Sequence, residues 1–216
     1  MAKFLRVEFH SHSIASPDSI ITADQLIAVC RSRQIDKVVI TDHNTIAGAE
    51  MAHALAPDLI IIGEEVKTTR GEILAAFVCE EVPPGLTPYE AVLRLREQNA
   101  FISLSHPFDL SREHWRADEV VELLPFLDAI EVYNSRCLFP GFNHAANKFA
   151  QRYDIHGTVG SDAHSIIEIG RSVMILPEFD GPDTLREAIK TADVITRMSS
   201  PLVRFYSRYA TLSKRY

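Results

Sequence analysis

Two histidines one residue apart, His10 and His12, end the stretch FLRVEFHSH near the amino terminus. Side chains two residues apart on a β-strand point to the same side of the sheet. Both imidazoles can therefore bind one ion, because imidazole nitrogen is a common ligand of zinc and related metals. A single His-x-His pair is weak evidence, since histidines also occur in cores and on surfaces, so the rest of the chain decides its meaning.

Further acids and imidazoles recur in similar places, at the ends of short apolar runs such as VVITDH, LIIIGEE, FISLSH and TVGSDAH. In parallel α/β folds the carboxyl ends of the strands form one face, where binding sites are built. We therefore expect these side chains to converge on one cavity with the first two histidines. In chain order they are Asp18, His43, Glu64, Glu65, His106, Glu131, Asn134, Asp162 and His164.

The elements that must position these residues alternate along the chain. Strands are predicted at 5–9, 37–41, 59–62, 73–79, 101–105, 129–133, 158–160 and 172–176. Helices are predicted after the capping-box patterns TADQ at 22–25 and TPYE at 87–90, and near 46–55, 117–124, 142–152 and 182–191. Continuously apolar runs such as KVVI suit strands buried in a parallel sheet. The alternation predicts an α/β fold, either a barrel or an open doubly wound sheet.

Composition narrows the class of protein. The chain has 216 residues and a formal net charge of -7, which fits one domain with a small appendage and argues against unspecific nucleic-acid binding. Its three cysteines, Cys30, Cys79 and Cys137, form no CxxC pair. We therefore expect no disulfide framework and a cytoplasmic location. No signal peptide and no membrane span are expected, because no apolar stretch is long enough.

The tail at 197–216 differs from the rest of the chain. It contains three tyrosines and five Lys or Arg residues but no Asp or Glu. A packed or mobile extension explains this composition, and contact with a phosphate backbone is the alternative that we retain.

The motifs FHSH with Asp18, TDH, GEEV, SHPF and GSDAH occur in the order typical of the PHP family, the polymerase and histidinol phosphatase domain, which this chain resembles from about residue 7 to about residue 170. The stretches GEILAAFV and DAIEVYNSR also resemble the stand-alone bacterial, phosphoesterase-type members. The resemblance implies a distorted barrel of seven β/α units over 1–196, followed by the extension 197–216.

The resemblance also implies two or three divalent ions. The first would be held by His10, His12, Glu65 and Asp162. Glu65 would bridge to a second ion at His106. A third would be held by Asp18, His43 and His164. Glu65 is preferred to Glu64 by the family pattern Gly-x-Glu, and alternation turns these two neighbours in opposite directions. Some members add another imidazole from the region that here spans 131–137, which has no His. The second ion would then be weaker, use Asn134 or water, or be absent.

Histidine and carboxylate ligands without thiolate suit zinc, manganese and iron about equally. Such a cluster lowers the pKa of a bound water, so a hydroxide held by the metals could attack a phosphoester. We assign catalytic roles to Asp42, His43 and His164; for Asp42, orienting a ligand or its loop and capping a helix are both open. Substrate binding is assigned to Arg136, Arg171 and Asn134, with Arg70, Arg112 and Lys67 as further candidates.

Three functions are weighed. The leading hypothesis is a metal-dependent phosphoesterase acting on a small phosphorylated metabolite or nucleotide-like phosphate, such as histidinol phosphate, a 3',5'-bisphosphate or a short oligonucleotide end. The second is a nuclease or proofreading module for single-stranded ends. The third is a metal-binding domain without turnover. The sequence predicts neither the native metal nor an oligomeric state.

Overall fold

Strands and helices alternate along residues 3–214, which are the residues that this computed structural model describes. The strands are β1 Phe4–Ser11, β2 Lys37–Ile40, β3 Ile60–Lys67, β4 Glu72–Ala76, β5 Phe101–Leu104, β6 Ala129–Asn134, β7 His156–Gly160, β8 Val173–Pro177 and β9 Asp193–Ile195. The α-helices are α1 Ala23–Ser32, α2 Ala47–Leu55, α3 Pro88–Glu97, α4 Ala117–Leu123, α5 Pro140–Tyr153, α6 Pro182–Ala188 and α7 Arg204–Ser213. Each of the eight predicted strands overlaps an observed one, whereas β9 and α7 were not predicted. Within 3–214, no helix has the length and apolar character needed to cross a membrane.

The strands form one sheet in the order β7-β6-β5-β4-β3-β2-β1-β8-β9. The sheet curls until the end of β1 meets the segment after β7, where Ser11 and Ala163 form a parallel bridge. The backbone N–H of Asp162 donates to the carbonyl of His10 at 2.8 Å, and that of His12 donates to the carbonyl of Ala163 at 2.9 Å. These bonds nearly close a barrel of strands β1 to β7, so the prediction of a distorted α/β barrel is confirmed.

Two of the predicted strands run against the parallel pattern that we expected. Strand β8 is antiparallel to β1. Strands β1, β2 and β3 are parallel, as are β5, β6 and β7, but β4 is antiparallel to both of its neighbours. Only residues 68–71 connect β3 to β4, and a parallel crossover needs about a dozen residues. The first residue of β4, Glu72, is consequently paired with Lys67, the last residue of β3. It therefore lies at the end of the barrel where the parallel strands finish.

Two helices begin at the capping boxes that the sequence predicts. The hydroxyl of Thr22 accepts from the N–H of Gln25, and the Gln25 side chain accepts in return from the N–H of Thr22 at 3.1 Å. Thr87 and Glu90 repeat this reciprocal pair at the start of α3, with Pro88 in the first turn. Both caps satisfy backbone donors that would otherwise lack partners, so these helix starts are encoded locally.

The apolar core occupies the barrel away from the polar strand ends. One cluster takes at least one buried residue from each strand from β1 to β8 and adds Leu185 from α6. Within it, the rings of Phe9 and Phe101 meet edge to face at 5.4 Å between centroids. Because this core fixes the strands, the segments that follow them are held at one rim of the barrel.

The last helix lies in the segment 197–216 that the sequence sets apart as an extension. A 3-10 turn at Pro201–Val203 leads into α7, and Val203 and Ala210 are buried against the barrel. The N–H of Ser199 donates to the carbonyl of Ser135 at 2.7 Å. Residues 215 and 216, which complete the basic, tyrosine-bearing tail, lie outside the described residues.

Candidate metal centre

His10, His12 and Asp162 form the most deeply buried group of metal-ligand side chains, called here the inner group. Their ligand atoms all lie within 4.8 Å of one another. The Nε2 atoms of the two histidines are 3.1 Å apart, and Asp162 Oδ1 is 3.6 Å from the first and 3.4 Å from the second. Asp162 has a left-handed backbone with φ of 52°, a conformation that is often retained at functional sites.

Hydrogen bonds behind the two rings set which nitrogen carries the proton. His10 Nδ1 lies 3.0 Å from a carboxylate oxygen of Glu131, which can only accept when ionised. His12 Nδ1 lies 3.1 Å from the hydroxyl of Ser16, whose own hydrogen is donated to Asp42. Both Nδ1 atoms therefore donate, so Nε2 is the nitrogen of each ring that is available to bind an ion.

These Nε2 atoms make the group suitable for a cation, because they face each other at 3.1 Å beside the carboxylates of Glu65 and Asp162. Within residues 3–214, two more buried ligand atoms, His164 Nε2 and Asp18 Oδ1, make no hydrogen bond, although His164 Nε2 lies 2.9 Å from the other oxygen of Asp18. Buried polar atoms without partners are unfavourable, and a divalent ion would satisfy several of them together.

Glu65 connects the imidazoles on both sides of the inner group. Its Oε2 lies 3.4 Å from Nε2 of His10 and of His12, and 3.1 Å from Nδ1 of His43. Its Oε1 accepts a 2.6 Å hydrogen bond from Ser105 and lies 3.5 Å from Nε2 of His106. One carboxylate thus contacts two separate sets of imidazoles, as a bridging ligand would.

The neighbouring acid faces the other way. Glu64 turns its Oε2 toward the backbone N–H of Val82, from which it accepts at 2.9 Å. Its Oε1 has no partner among the described residues. Burial, reinforced by the charge of Glu81, raises the pKa of Glu64 to about 7. The alternation along β3 therefore separates one acid of the pair from the imidazoles.

Glu72 is a candidate ligand that the sequence analysis missed. Its carboxylate lies 3.4 Å from His106 Nε2 and 3.8 Å from His43 Nδ1. With His43 and Glu65 it forms a second group of mutually close ligand atoms. Glu72 begins a strand instead of ending one, so only knowledge that β4 is antiparallel could have revealed it.

A third set, the outer group, comprises His12, His43 and His164. Asp18 joins it from the loop between β1 and α1, with Oδ2 2.9 Å from His164 Nε2 and Oδ1 3.6 Å from His43 Nε2. The side chains of Asp18 and His43 are 27% and 22% exposed, whereas the His10 side chain is fully buried. The outer group therefore lies at the solvent-facing side of the centre.

Asp42 supports the loop in front of the site. It is buried and accepts from the N–H of Ser13 at 2.7 Å, the hydroxyl of Ser13 at 2.6 Å and the hydroxyl of Ser16 at 2.8 Å. Helix α2 instead begins after Ile46, which makes no side-chain cap. The sequence left two roles open for Asp42: orienting a ligand or its loop, and capping a helix. The observed contacts are those of a residue that orients the loop.

Asn134 lies beside the inner group and contacts its carboxylates. Its side-chain amide donates to Glu131 at 3.0 Å and to Asp162 at 3.2 Å. Asn134 is buried, and it is absent from the lining of the cavity over the centre. Its described contacts orient acids and involve no surface open to a substrate.

Two arginines contact the centre directly. Arg112 Nη1 lies 2.6 Å from Asp162 Oδ2. Arg136 is buried, contacts Nδ1 of His164 and pairs with Glu168 at 3.1 Å. These contacts place two guanidinium groups at the edge of the candidate ligands.

Arg171 lies apart from this set. It lines a different cavity, of about 390 Å³, together with Arg33 and Arg197. The preceding Gly170 has φ of 76°, and its N–H donates to Glu8 at 2.7 Å, so the chain turns away after the candidate ligands. The structure therefore does not bring Arg171 together with the other predicted site residues.

Burial and nearby charges shift the pKa values of the two inner histidines in opposite directions. Burial, aided by the other two imidazoles of the outer group, lowers the pKa of His12 to about 4. Burial also acts to lower the pKa of His10, but the carboxylates around it, led by Glu65, raise that pKa well above its usual value. Although burial opposes ionisation of Asp162, the charge of Arg112 holds the pKa of this acid well below its usual range.

A cavity of about 270 Å³ opens over the centre. Its lining combines candidate ligands with three arginines, one of which comes from α7. The lining residues are Asp18, His43, Glu72, Arg112, Arg136, Asp162, His164, Arg204 and Ser207.

Among the described residues, His106 belongs to none of the three ligand groups, although its Nε2 lies near Glu65 and Glu72. Four further histidines within residues 3–214 also belong to none of the groups and make no contact with the centre. His53, for example, contacts the carbonyl of Ile60 at 2.8 Å. These residues are His53, His114, His144 and His156.

Known proteins are similar to this chain in sequence or in fold. The model of the PHP-associated family matches residues 140–194. The uncharacterized protein MJ0417 of Methanocaldococcus jannaschii is 37% identical over 187 residues, covering 84% of this chain and 75% of that protein.

Solved structures agree with this relationship. PsfC from Pseudomonas syringae superposes with a TM-score of 0.72 at 16% identity, covering 98% of this chain and 99% of that one. A two-domain protein of Bacteroides vulgatus, which contains a predicted PHP-like metal-dependent phosphoesterase, superposes with a TM-score of 0.70 at 18% identity, covering 95% and 70%. With its ordered motifs, its nearly closed barrel and these relatives, the chain belongs to the PHP family.

Proposed function

We propose that this protein is a metal-dependent phosphoesterase that hydrolyses a small phosphorylated molecule. The observation that carries the proposal is the convergence of four ligand side chains: His10 Nε2 and His12 Nε2 each lie within 3.6 Å of carboxylate oxygens of both Glu65 and Asp162. The Nδ1 contacts with Glu131 and Ser16 turn both Nε2 atoms into this group. Two imidazoles and two carboxylates that converge in this way form a ligand set for a divalent ion.

The candidate ligands would hold the ions in three adjoining positions. His10, His12, Glu65 and Asp162 would hold one, as the sequence predicts. His106 and Glu65 would hold a second, with Glu72 in place of the imidazole that the region 131–137 lacks. Asp18, His43 and His164 would hold the third, with His12 also within reach. Mixed imidazole and carboxylate ligands favour zinc, manganese or iron over magnesium or calcium.

Ions bound there would supply a water-derived nucleophile near neutral pH and positive charge for the transition state. The chain itself would supply the remaining parts of the site. Arg112, Arg136 and Arg204 line the cavity, and guanidinium groups bind phosphate oxygens well. Arg136 would hold the phosphate near the outer group, because its guanidinium already contacts His164.

Asp42 would act through other residues. Its contacts with Ser13 and Ser16 fix the loop that precedes Asp18, and Ser16 in turn orients His12. We assign it a positioning role, in contrast to His43 and His164, whose rings line the cavity itself.

The size of the cavity favours a small substrate. A volume of about 270 Å³ lies just below the usual range of small-molecule pockets, about 300–1,000 Å³, so the enclosed space suits a small ligand. A phosphorylated metabolite or a mononucleotide is therefore our preferred substrate class.

The end of a single-stranded nucleic acid is a second candidate substrate, because of the composition of helix α7. Helix α7, which contributes Arg204 to the cavity, exposes Phe205, Tyr206 and Tyr209, and aromatic rings beside cationic groups suit unpaired bases. Single-strand binding that weakens steeply with salt would support this candidate.

One experiment tests the phosphoesterase proposal. Purified protein is analysed for metals and assayed with an aryl phosphate, an aryl phosphodiester and a 3',5'-bisphosphonucleotide, before and after chelation. We expect bound zinc, manganese or iron, hydrolysis of at least one substrate, and loss of activity on chelation that the metal restores. Hydrolysis that survives complete metal removal, or metal-loaded protein that hydrolyses none of them, would refute the proposal.

A further inference from the structure

The carboxyl-terminal segment, residues Ser199–Lys214, contacts the loop that carries Asp18. Lys214 Nζ donates to three backbone carbonyls of that loop: Ile14 at 2.6 Å, Ser16 at 2.6 Å and Ser19 at 2.7 Å. One ammonium group thus donates hydrogen bonds to backbone carbonyls on both sides of Asp18 in the sequence. A loop whose carbonyls are held by a charged donor loses much of its conformational freedom.

The same segment contacts a second ligand position through Arg136. Ser207 accepts a 2.7 Å hydrogen bond from Arg136 Nη2, and Arg204 donates to the carbonyl of Arg136 at 3.1 Å. Arg136 is buried, and its other Nη atom contacts Nδ1 of His164. The segment therefore fixes the guanidinium that contacts the His164 ring.

Both contacts lead to ligands of the outer position, Asp18 and His164. The inner ligands His10 and Asp162 are instead held by the sheet, through the 2.8 Å bond between the Asp162 N–H and the His10 carbonyl. Within residues 3–214, no hydrogen bond or ion pair joins the carboxyl-terminal segment to His10, Glu65 or Asp162. The segment is thus linked most directly to Asp18 and His164, and it reaches the inner group only indirectly, through Ser16, whose hydroxyl contacts the shared ligand His12.

We propose that the carboxyl-terminal segment is a positioning element that orders the outer metal position through Lys214 and Ser207, without contributing a ligand. The proposal rests on the metal binding proposed above and names the part of the chain that controls one of its positions. Because residues behind a ligand commonly change metal affinity about 10- to 100-fold, the segment can decide whether the outer position is filled.

The test compares metal binding in full-length variants. Chelator-stripped wild type, Lys214→Met and Ser207→Ala are titrated with Mn²⁺ in a calorimeter, and Asp18→Asn identifies the step that belongs to the outer position. We expect Lys214→Met and Ser207→Ala each to weaken Mn²⁺ binding about 10-fold at the step that belongs to the outer position. The other binding steps should be unchanged. Arg208→Gln, an exposed change on the same helix, is the matched control and should titrate like wild type.

A second readout does not depend on metal. Amide hydrogen exchange of residues 13–19 in stripped protein should be faster in Lys214→Met than in wild type or Arg208→Gln, because the loop loses its charged donor. Thermal unfolding checks that each variant folds.

The outcomes separate this inference from the proposed function. If wild type binds no divalent ion, both fail. If wild type binds ions and Lys214→Met matches it at every step, or weakens all steps equally, only the positioning role is overturned, and the metal centre stands.

Discussion

The inner and outer groups are built by different parts of the fold. His10 and His12 extend from one strand, and backbone bonds between β1 and the segment after β7 set Asp162 beside them. Asp18 comes from a loop and is 27% exposed, and its position depends on contacts with the far end of the chain. Ligands held by a sheet are rigid, whereas ligands held by loops depend on side-chain contacts that one substitution can remove. We therefore expect the inner group to tolerate the loss of distant contacts and the outer group to be sensitive to it.

The largest effect is expected from removing an inner ligand. His10→Ala or Asp162→Ala should lower kcat for an aryl phosphate by more than about 100-fold, the upper end of the cost of losing a supporting residue behind a ligand. Circular dichroism should show an intact fold, and His156→Ala, at the exposed start of β7, should retain full activity. Unchanged turnover in either inner variant would remove that residue from the mechanism.

A smaller effect is expected from a substitution at Glu131, which contacts His10 on the side of the ring away from the candidate ion. Glu131→Gln weakens the acceptor that orients His10, so the affinity of the tightest ion should fall about 10- to 100-fold. Competition with a chromogenic chelator measures this affinity. Glu187→Gln, at an exposed position of α6, serves as the control. Equal affinities in the two variants would show that His10 is oriented without Glu131.

The outer group should respond less to loss of a single acid. Because Asp18 is partly exposed, water can replace its oxygen in Asp18→Asn, and we expect about a 10-fold loss of affinity confined to the weaker ion. Metal titration followed by activity at saturating metal checks this. If Asp18→Asn instead abolishes all metal binding, the distinction between the two groups is wrong.

The smallest effect on catalysis is expected at Glu64, which neighbours Glu65 but faces away from the imidazoles. Its pKa of about 7 lies above the value of an unfolded carboxyl, so the folded state retains the proton to higher pH. The contribution of Glu64 to stability should therefore be complete below about pH 4.5 and be lost as the pH rises through 7.

Glu64→Gln should remove the Glu64 contribution and stabilise the fold at pH 8 by about 2 kcal/mol while leaving kcat within twofold. A shallower dependence should remain, because burial also raises the pKa of Glu8 to about 7. Denaturant unfolding between pH 5 and pH 8 measures the difference. A variant whose unfolding free energy keeps the wild-type pH slope would place the titration on another group.

Sequence reasoning located the site where local rules suffice. Strand periodicity put His10 and His12 on one side of β1. Alternation along β3 turned Glu64 and Glu65 in opposite directions, and the family pattern Gly-x-Glu selected Glu65 as the ligand. Capping boxes fixed the starts of α1 and α3 because their signals span only four residues.

What the sequence missed depends on contacts between distant parts of the chain. Glu72 faces the centre only because β4 runs antiparallel, a consequence of the four-residue connection 68–71. Helix α7 contacts Arg136 across 71 positions of the chain, so no local pattern in the segment 197–216 indicates that contact. The assignment of Arg171 to the substrate assumed that a residue close to a ligand in sequence lies close to it in space.

The central claim is that imidazoles and acids from separate strand ends surround shared cations. Anomalous diffraction at the manganese edge, from crystals of Mn²⁺-loaded protein, tests it most directly. We expect a strong peak bounded by His10 Nε2, His12 Nε2 and Asp162, with a further peak at the outer group. Anomalous peaks only elsewhere on the molecule, with these side chains unchanged and no ion between them, would contradict the account.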